Sequence, residues 1–195
     1  MAYTSAAAVK LYLGSTATAD DTLLLDLITR AQAEIDRYTG RTFEHSSVGV
    51  TRTFSVGEDT YGRVLMLDED LSKIDEIVTD ADGSGATTVA STEYITQPRN
   101  ITPYHSIKLL SSSTKSWTWT SNRENGVTVT GKWSYSTSAP DDIVDACVRL
   151  AAYKYRQKDA QTFDVTAMPD AGVIVVPTGM PADVKILLSP YRRVV

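Results

Sequence analysis

The chain has 195 residues, 42% of them hydrophobic, a single cysteine and a formal net charge of -5. That length supports one substantial core, or a small core carrying an inserted module. The acidic balance and an aromatic share of 8% exclude a general nucleic-acid binder, which would carry a basic face, and one cysteine excludes an internal disulfide framework, as suits a reducing cytoplasm.

The opening MAYTSAAAVKLYLG lacks a basic start, and Lys10 interrupts its apolar run, so it does not read as a signal peptide. No stretch approaches the roughly twenty apolar residues of a membrane span. Thr4 or Ser5 caps a short helix through Leu13, stopped by Gly14. Asp20 or Asp21 then caps a longer helix that ends at Gly40. Leu24, Leu27, Ile28, Ala31, Ile35 and Tyr38 make its apolar stripe. From about Val48 to Ser136 the period changes to alternation: VTRTFSV, RVLML, IDEIVT, EYITQP, SIKLLS, WTWT and VTVTGKWSYS read as strands. DADGSG at Asp80 to Gly85 and Asn125-Gly126 read as hairpin turns.

Pro140 suits the first position of the next helix, with Asp141 and Asp142 at the positive end of its macrodipole and Lys154, Arg156 and Lys158 at the negative end. Its stripe of Ile143, Val144, Cys147, Leu150, Ala151 and Tyr155 pairs naturally with the Leu24 stripe. After Ala160 several prolines and glycines break the chain. GVIVVP reads as a short strand, and a last helix starts at Pro181 and stops at Pro190. The expected fold class is α+β: a small helical bundle from both flanks (residues 1–47 and 137–160) with an inserted antiparallel β-rich module (48–136) and a C-terminal tail (161–195).

Catalytic constellations are missing from the sequence. His45 and His105 lack ligand partners at metal spacing, and Cys147 sits on an apolar stripe, where an inert thiol is expected. There is no P-loop, GxGxxG or GxSxG. DADGSG fails the calcium-loop template because its glycine comes early and no closing Glu follows. The run Asp68, Glu69, Asp70, Asp75 and Glu76 could hold metal for phosphodiester chemistry, yet it reads better as a charged turn entering a strand. No catalytic residue, metal ligand or cofactor is therefore assigned. Trp117 and Trp119, two apart, would share one face of a strand, as core, as a subunit interface, or as a stacking platform for a sugar or protein partner. A carbohydrate- or protein-binding module is accordingly the alternative reading.

The segments YTSAAAVKLYLG, DDTLLLDLITRAQAEIDRYTGRTF, VTVTGKWSY, the Pro140 helix and LLSPYRR together resemble the head-tail connector (adaptor) proteins of long-tailed bacteriophages. Ile35, Asp36, Tyr38, Thr39, Gly40, Arg41 and Phe43 match that family's IDxYTGRxF-like ending, and Pro140, Asp142 and Ile143 its later helix start. The resemblance implies a non-enzymatic protein of the virion neck, assembled in the host cytoplasm. Such proteins form a dodecameric ring under the portal protein, extend the DNA channel without sequence-specific DNA binding, and offer a surface to a stopper or tail protein. A stopper or tail-completion protein of the same neck is the neighbouring alternative. The resemblance also suggests the C-terminal tail as the portal-docking segment, with Pro190, Tyr191, Arg192 and Arg193 as anchors. Subunit contacts are expected from the mixed-charge outer faces, with Arg30, Arg37, Arg149 and Arg156 against Asp26, Glu34 and Asp145, and from Trp117 and Trp119.

Overall fold

A computed structural model describes residues 2–45, 48–160, 166–168, 172–174 and 179–193. The protein is α+β. It divides into two compact units, one formed by Ala2–Arg41 with Ala139–Val195, the other by Thr42–Ser138.

The helical unit contains α1 (Ala6–Leu13), α2 (Asp21–Thr39), α3 (Asp141–Ala160) and α4 (Ala182–Leu188), with α3 packed against the other three. Ser5 caps α1 by accepting the N–H of Ala8, and Gly14 closes it in the left-handed region. Leu24, Leu27, Ile28, Ala31 and Ile35 are buried on α2, and Ile143, Cys147, Leu150 and Ala151 on α3. Each large aliphatic group contributes about 1.5–3 kcal/mol by its burial. The sequence stripe of α3 is too narrow, because Val148 and Ala152 are buried as well. A helix with three neighbours needs more than one apolar face. Pro140 stands one position before α3 rather than inside it, its carbonyl accepting the N–H of Ile143 at 2.9 Å and of Val144 at 3.0 Å. Asp20 holds the cap position of α2 but its side chain makes no cap bond. It accepts instead from Tyr155 Oη (2.7 Å) and Lys158 Nζ (3.2 Å) near the end of α3. The Tyr155 bond, then the Lys158 ammonium, hold its pKa below the ordinary carboxylate value.

The β unit has two four-stranded antiparallel sheets. One runs in the order β1 (Val50–Phe54), β8 (Val127–Lys132), β4 (Lys73–Thr79), β5 (Thr87–Thr88); the other β2 (Thr60–Tyr61), β3 (Val64–Leu71), β7 (Tyr104–Leu109), β6 (Tyr94–Gln97). Alternation along the strands delivers Phe54, Leu65, Leu67, Ile77, Ile107, Leu109, Val127 and Val129 to one shared core with Trp117 and Trp133. Ser72 is the single residue between β3 in one sheet and β4 in the other. Its N–H donates to the Lys132 carbonyl at 2.8 Å and its hydroxyl lies 2.9 Å from that of Ser134. At this corner a Cβ on Gly131 would come within 2.2 Å of the Lys73 carbonyl oxygen, so only glycine allows the strands to meet. A short β9 (Thr166–Met168) pairs antiparallel with β10 (Gly172–Ile174), within the expected GVIVVP strand; the rest of that motif lies outside the described residues.

Two local expectations fail. Asn125-Gly126 is no hairpin turn: Arg123–Asn125 form a 3-10 turn and Gly126 has φ -69°. The Arg123 guanidinium bonds the Val56 carbonyl, whose residue in turn donates its N–H to Arg123 at 3.0 Å, so this turn is clamped to the end of β1 instead. WTWT is no strand either. The Thr79 hydroxyl donates to the Ser116 carbonyl and accepts from the Thr118 N–H, both at 3.0 Å, so a side chain satisfies backbone that a ladder would otherwise bind. DADGSG does connect the paired β4 and β5. There the Asp80 carboxylate accepts from the Gly85 N–H (2.9 Å) and the Thr120 hydroxyl (2.6 Å). The two-residue strands β2 and β5 escaped the sequence because they are too short to show a period.

Candidate functional site

Among the described residues no group of three or more His, Cys, Asp or Glu could hold a metal ion. The acidic run is spoken for: Glu69 and Asp68 lie 2.7 and 3.6 Å from the Arg52 guanidinium, which stacks 4.6 Å from the Trp133 ring centre, and Lys73 pairs with Asp75 at 2.8 Å. His105 is exposed on β7 and His45 is half-buried. Cys147 is fully buried. Burial first, and the Asp36 charge second, push its thiol up to about 12, so it is neither nucleophile nor ligand at neutral pH.

The polar side chains converge instead at the C-terminal end of α2. Gly40, at φ +68°, turns the chain there and gives its N–H to the Asp36 carbonyl at 2.8 Å. That turn leaves the Thr39 carbonyl free for the Arg193 N–H (2.8 Å) and aims Arg41 at the Tyr191 carbonyl (2.8 Å). Tyr191 Oη reaches Asp142 at 3.1 Å, and the Arg192 guanidinium lies 5.3 Å from the Tyr38 ring centre. One turn earlier the Asp36 carboxylate accepts Tyr3 Oη at 2.6 Å. Tyr191, Arg192 and Arg193 are engaged by their own helical unit, while Pro190 is exposed within a 3-10 turn.

The expected interface charges split into two groups. Glu34 pairs with Lys154 at 2.7 Å and joins α2 to α3 within the unit; Arg30 and Asp26 pair with each other on the exposed face of α2, where Arg37 is also exposed. Arg149 bonds Asp145 (2.9 Å) and Asp183 of α4 (3.3 Å). Asp183 and then Asp145 hold its pKa above the ordinary arginine value. A groove of about 160 Å³ opens here among α1, α3 and α4, lined by Tyr12, Arg149, Tyr153, Arg156 and Asp183. Trp117 is buried in the β core and so unavailable to a subunit contact, whereas Trp119 is 48% exposed; the pair does not form a stacking platform.

A family model for head completion proteins matches residues 2–194. The chain belongs to the head completion protein family. As a head completion protein it is a structural protein of a phage-like virion. Its fold matches solved particles at 20% identity. These are the neck of an empty gene transfer agent particle computed with C6 symmetry (TM-score 0.61, covering 97% of this chain and 89% of that one), the neck of the native particle computed with C12 symmetry (0.54, 89% and 84%), and the native virion (0.58, 97% and 89%). No curated protein matches.

For a head completion protein the absence of a chemical centre among the described residues is less informative than where its motif residues go. Asp36, Tyr38, Thr39, Gly40 and Arg41 are among the residues that carry the resemblance in the sequence; in the fold Gly40 turns the chain and the other four contact Tyr3 or residues 191–193. Sequence reasoning missed this role. The signal available was the co-occurrence of a Tyr-Arg-Arg tip with an Arg beside a helix-ending glycine. Tyr12 and Asp183 of the groove had no such signal, because a groove among three helices has no period; Tyr153 had one, since it and Tyr155 stand on different faces of one helix and cannot both face the core.

Proposed function

We propose that this head completion protein is a non-enzymatic connector that assembles, as a dodecamer, into a closed ring beneath the portal protein, extends the DNA channel and offers its far surface to a stopper or tail protein. The observation that carries this reading is the family match over nearly the whole chain. The likeness in fold to neck proteins of a particle reconstructed with twelvefold symmetry supports the ring. DNA would pass without sequence-specific contact, as suits a chain of formal net charge -5 that does not favour phosphate. The helical unit is the ring-forming frame, the β unit an appended module, and the segment after Ala160 the side facing the portal. Since Tyr191, Arg192 and Arg193 are engaged within the subunit, portal docking uses the outer surface of the clasped tip, with Pro190 exposed, rather than a free strand.

Native mass spectrometry over a wide concentration range, with and without the cognate portal, tests the proposal. A dodecamer, alone or on the portal, is expected. A monomer in both conditions would overturn it.

A further inference from the structure

An acid and an aromatic ring are exposed along β2 and the turn that leads into it. Tyr61 is 68% exposed, and Gly62 beside it, at φ +60°, has nothing within 4 Å of where a Cβ would sit. Glu58 in the preceding turn is exposed and has no ion-pair partner among the described residues. The nearby bases are committed to backbone: Arg63 binds the carbonyls of Leu109, Leu110 and Ser113, and Arg123, packed against Gly57, binds the Val56 carbonyl. The groove of the helical unit offers a base to such a surface. Tyr12 and Tyr153 supply aromatic walls, Arg149 is committed to Asp145 and Asp183, and Arg156 is exposed with no ion-pair partner among the described residues.

Resting on the ring reading above, we infer that the Tyr61 and Glu58 surface of one copy seats in the groove of the next, with Glu58 facing Arg156. A second copy is the occupant because both halves of the match are carried by one chain, and a contact between two different patches repeats head to tail until it closes. Copies that each carry a formal net charge of -5 repel, so association needs a local meeting of opposite charges. A tyrosine anchor beside a charged pair is the composition that concentrates interface energy.

The test places the photo-crosslinking residue p-benzoylphenylalanine at position 61 of the full chain, mixes isotope-labelled and unlabelled copies, and irradiates the assembled ring. Adducts joining labelled to unlabelled chains and mapping to α1, α3 or α4 around Tyr12, Tyr153 and Arg156 are expected. Adducts elsewhere on a neighbour, or on the portal or tail protein, would overturn the contact and leave the ring standing; failure of the unmodified protein to assemble even on the portal would overturn both. Independently, Arg156→Glu should weaken self-association about tenfold or more. Glu58→Arg in the same chain should restore it, with far-UV circular dichroism unchanged throughout.

Discussion

In the β unit Leu65, Leu71, Ile107, Val127 and Trp133 interlock between two sheets with a network of ladder bonds around them, and buried polar side chains such as Ser72, Thr79, Asp80 and Ser134 hold its corners and turns. The helical unit has an apolar core too, but its ends are tied by individual polar side chains: Tyr3 to Asp36, Arg41 to Tyr191, Tyr191 to Asp142, Tyr155 to Asp20. The first kind of stability accepts many sequences of the right volume. The second depends on particular residues at particular positions. IDRYTGRTF and the Pro140 helix start lie in the helical flanks, and VTVTGKWSY is the insert's own share of the resemblance.

Truncation of the β core should give the largest effect. Trp133→Ala removes a buried ring stacked 5.8 Å from Phe54 and a 2.8 Å bond from Nε1 to the Val50 carbonyl, and should cost about 3–5 kcal/mol by urea unfolding. Hydrogen exchange should show the loss concentrated between Thr42 and Ser138. Conservative swaps of similar volume, such as Leu65→Met, should cost under about 1.5 kcal/mol in the same assay.

The helical unit should respond oppositely to conservatism. Arg41→Lys is expected to lose nearly as much as Arg41→Ala, about 1–2 kcal/mol, because the contact needs a guanidinium Nε aimed at a carbonyl. Faster exchange at the amides of Tyr191 to Arg193 would report the release; equal protection in the two arginine variants and the parent would break the comparison. Gly40→Ala should cost about 1 kcal/mol through its positive φ alone, since a Cβ there meets only Arg193 Cβ at an ordinary 3.6 Å.

The smallest effect concerns pH. Burial raises the Asp36 pKa above 3.8, partly offset by the bond from Tyr3. The folded state then holds its proton to higher pH than the unfolded state, so stability falls as pH rises from about 3.8 through the folded value and stays lower above it. Asp36→Asn keeps an acceptor for Tyr3 and should flatten that part of the urea midpoint against pH curve; an unchanged slope would count against a buried charge there.

The sequence carried the α+β class, both long helices to within a residue, the stops at Gly14 and Gly40, the α1 cap to one of two neighbours, Thr4 or Ser5, and most strands, because each of these is set by local periodicity or a single special backbone position. WTWT and Asn125-Gly126 misled because their local preference lost to long-range partners, Thr79 in one case and Val56 in the other. The clasp and the groove join residues more than a hundred positions apart, and no period records such pairings.

The seam where the insert begins and ends has a consequence in polymer terms. The Tyr135 N–H bonds the Thr42 carbonyl at 2.8 Å, Glu44 bridges in parallel to Ser136, and the Ser136 hydroxyl reaches the Phe43 carbonyl at 3.3 Å. Once this stem is shut, joining α2 to α3 requires the closure of a few residues rather than of a long loop, and even an open loop grows costlier only with the logarithm of its length. The insert can thus lengthen, shrink or be exchanged during descent at little cost to the helices that carry it.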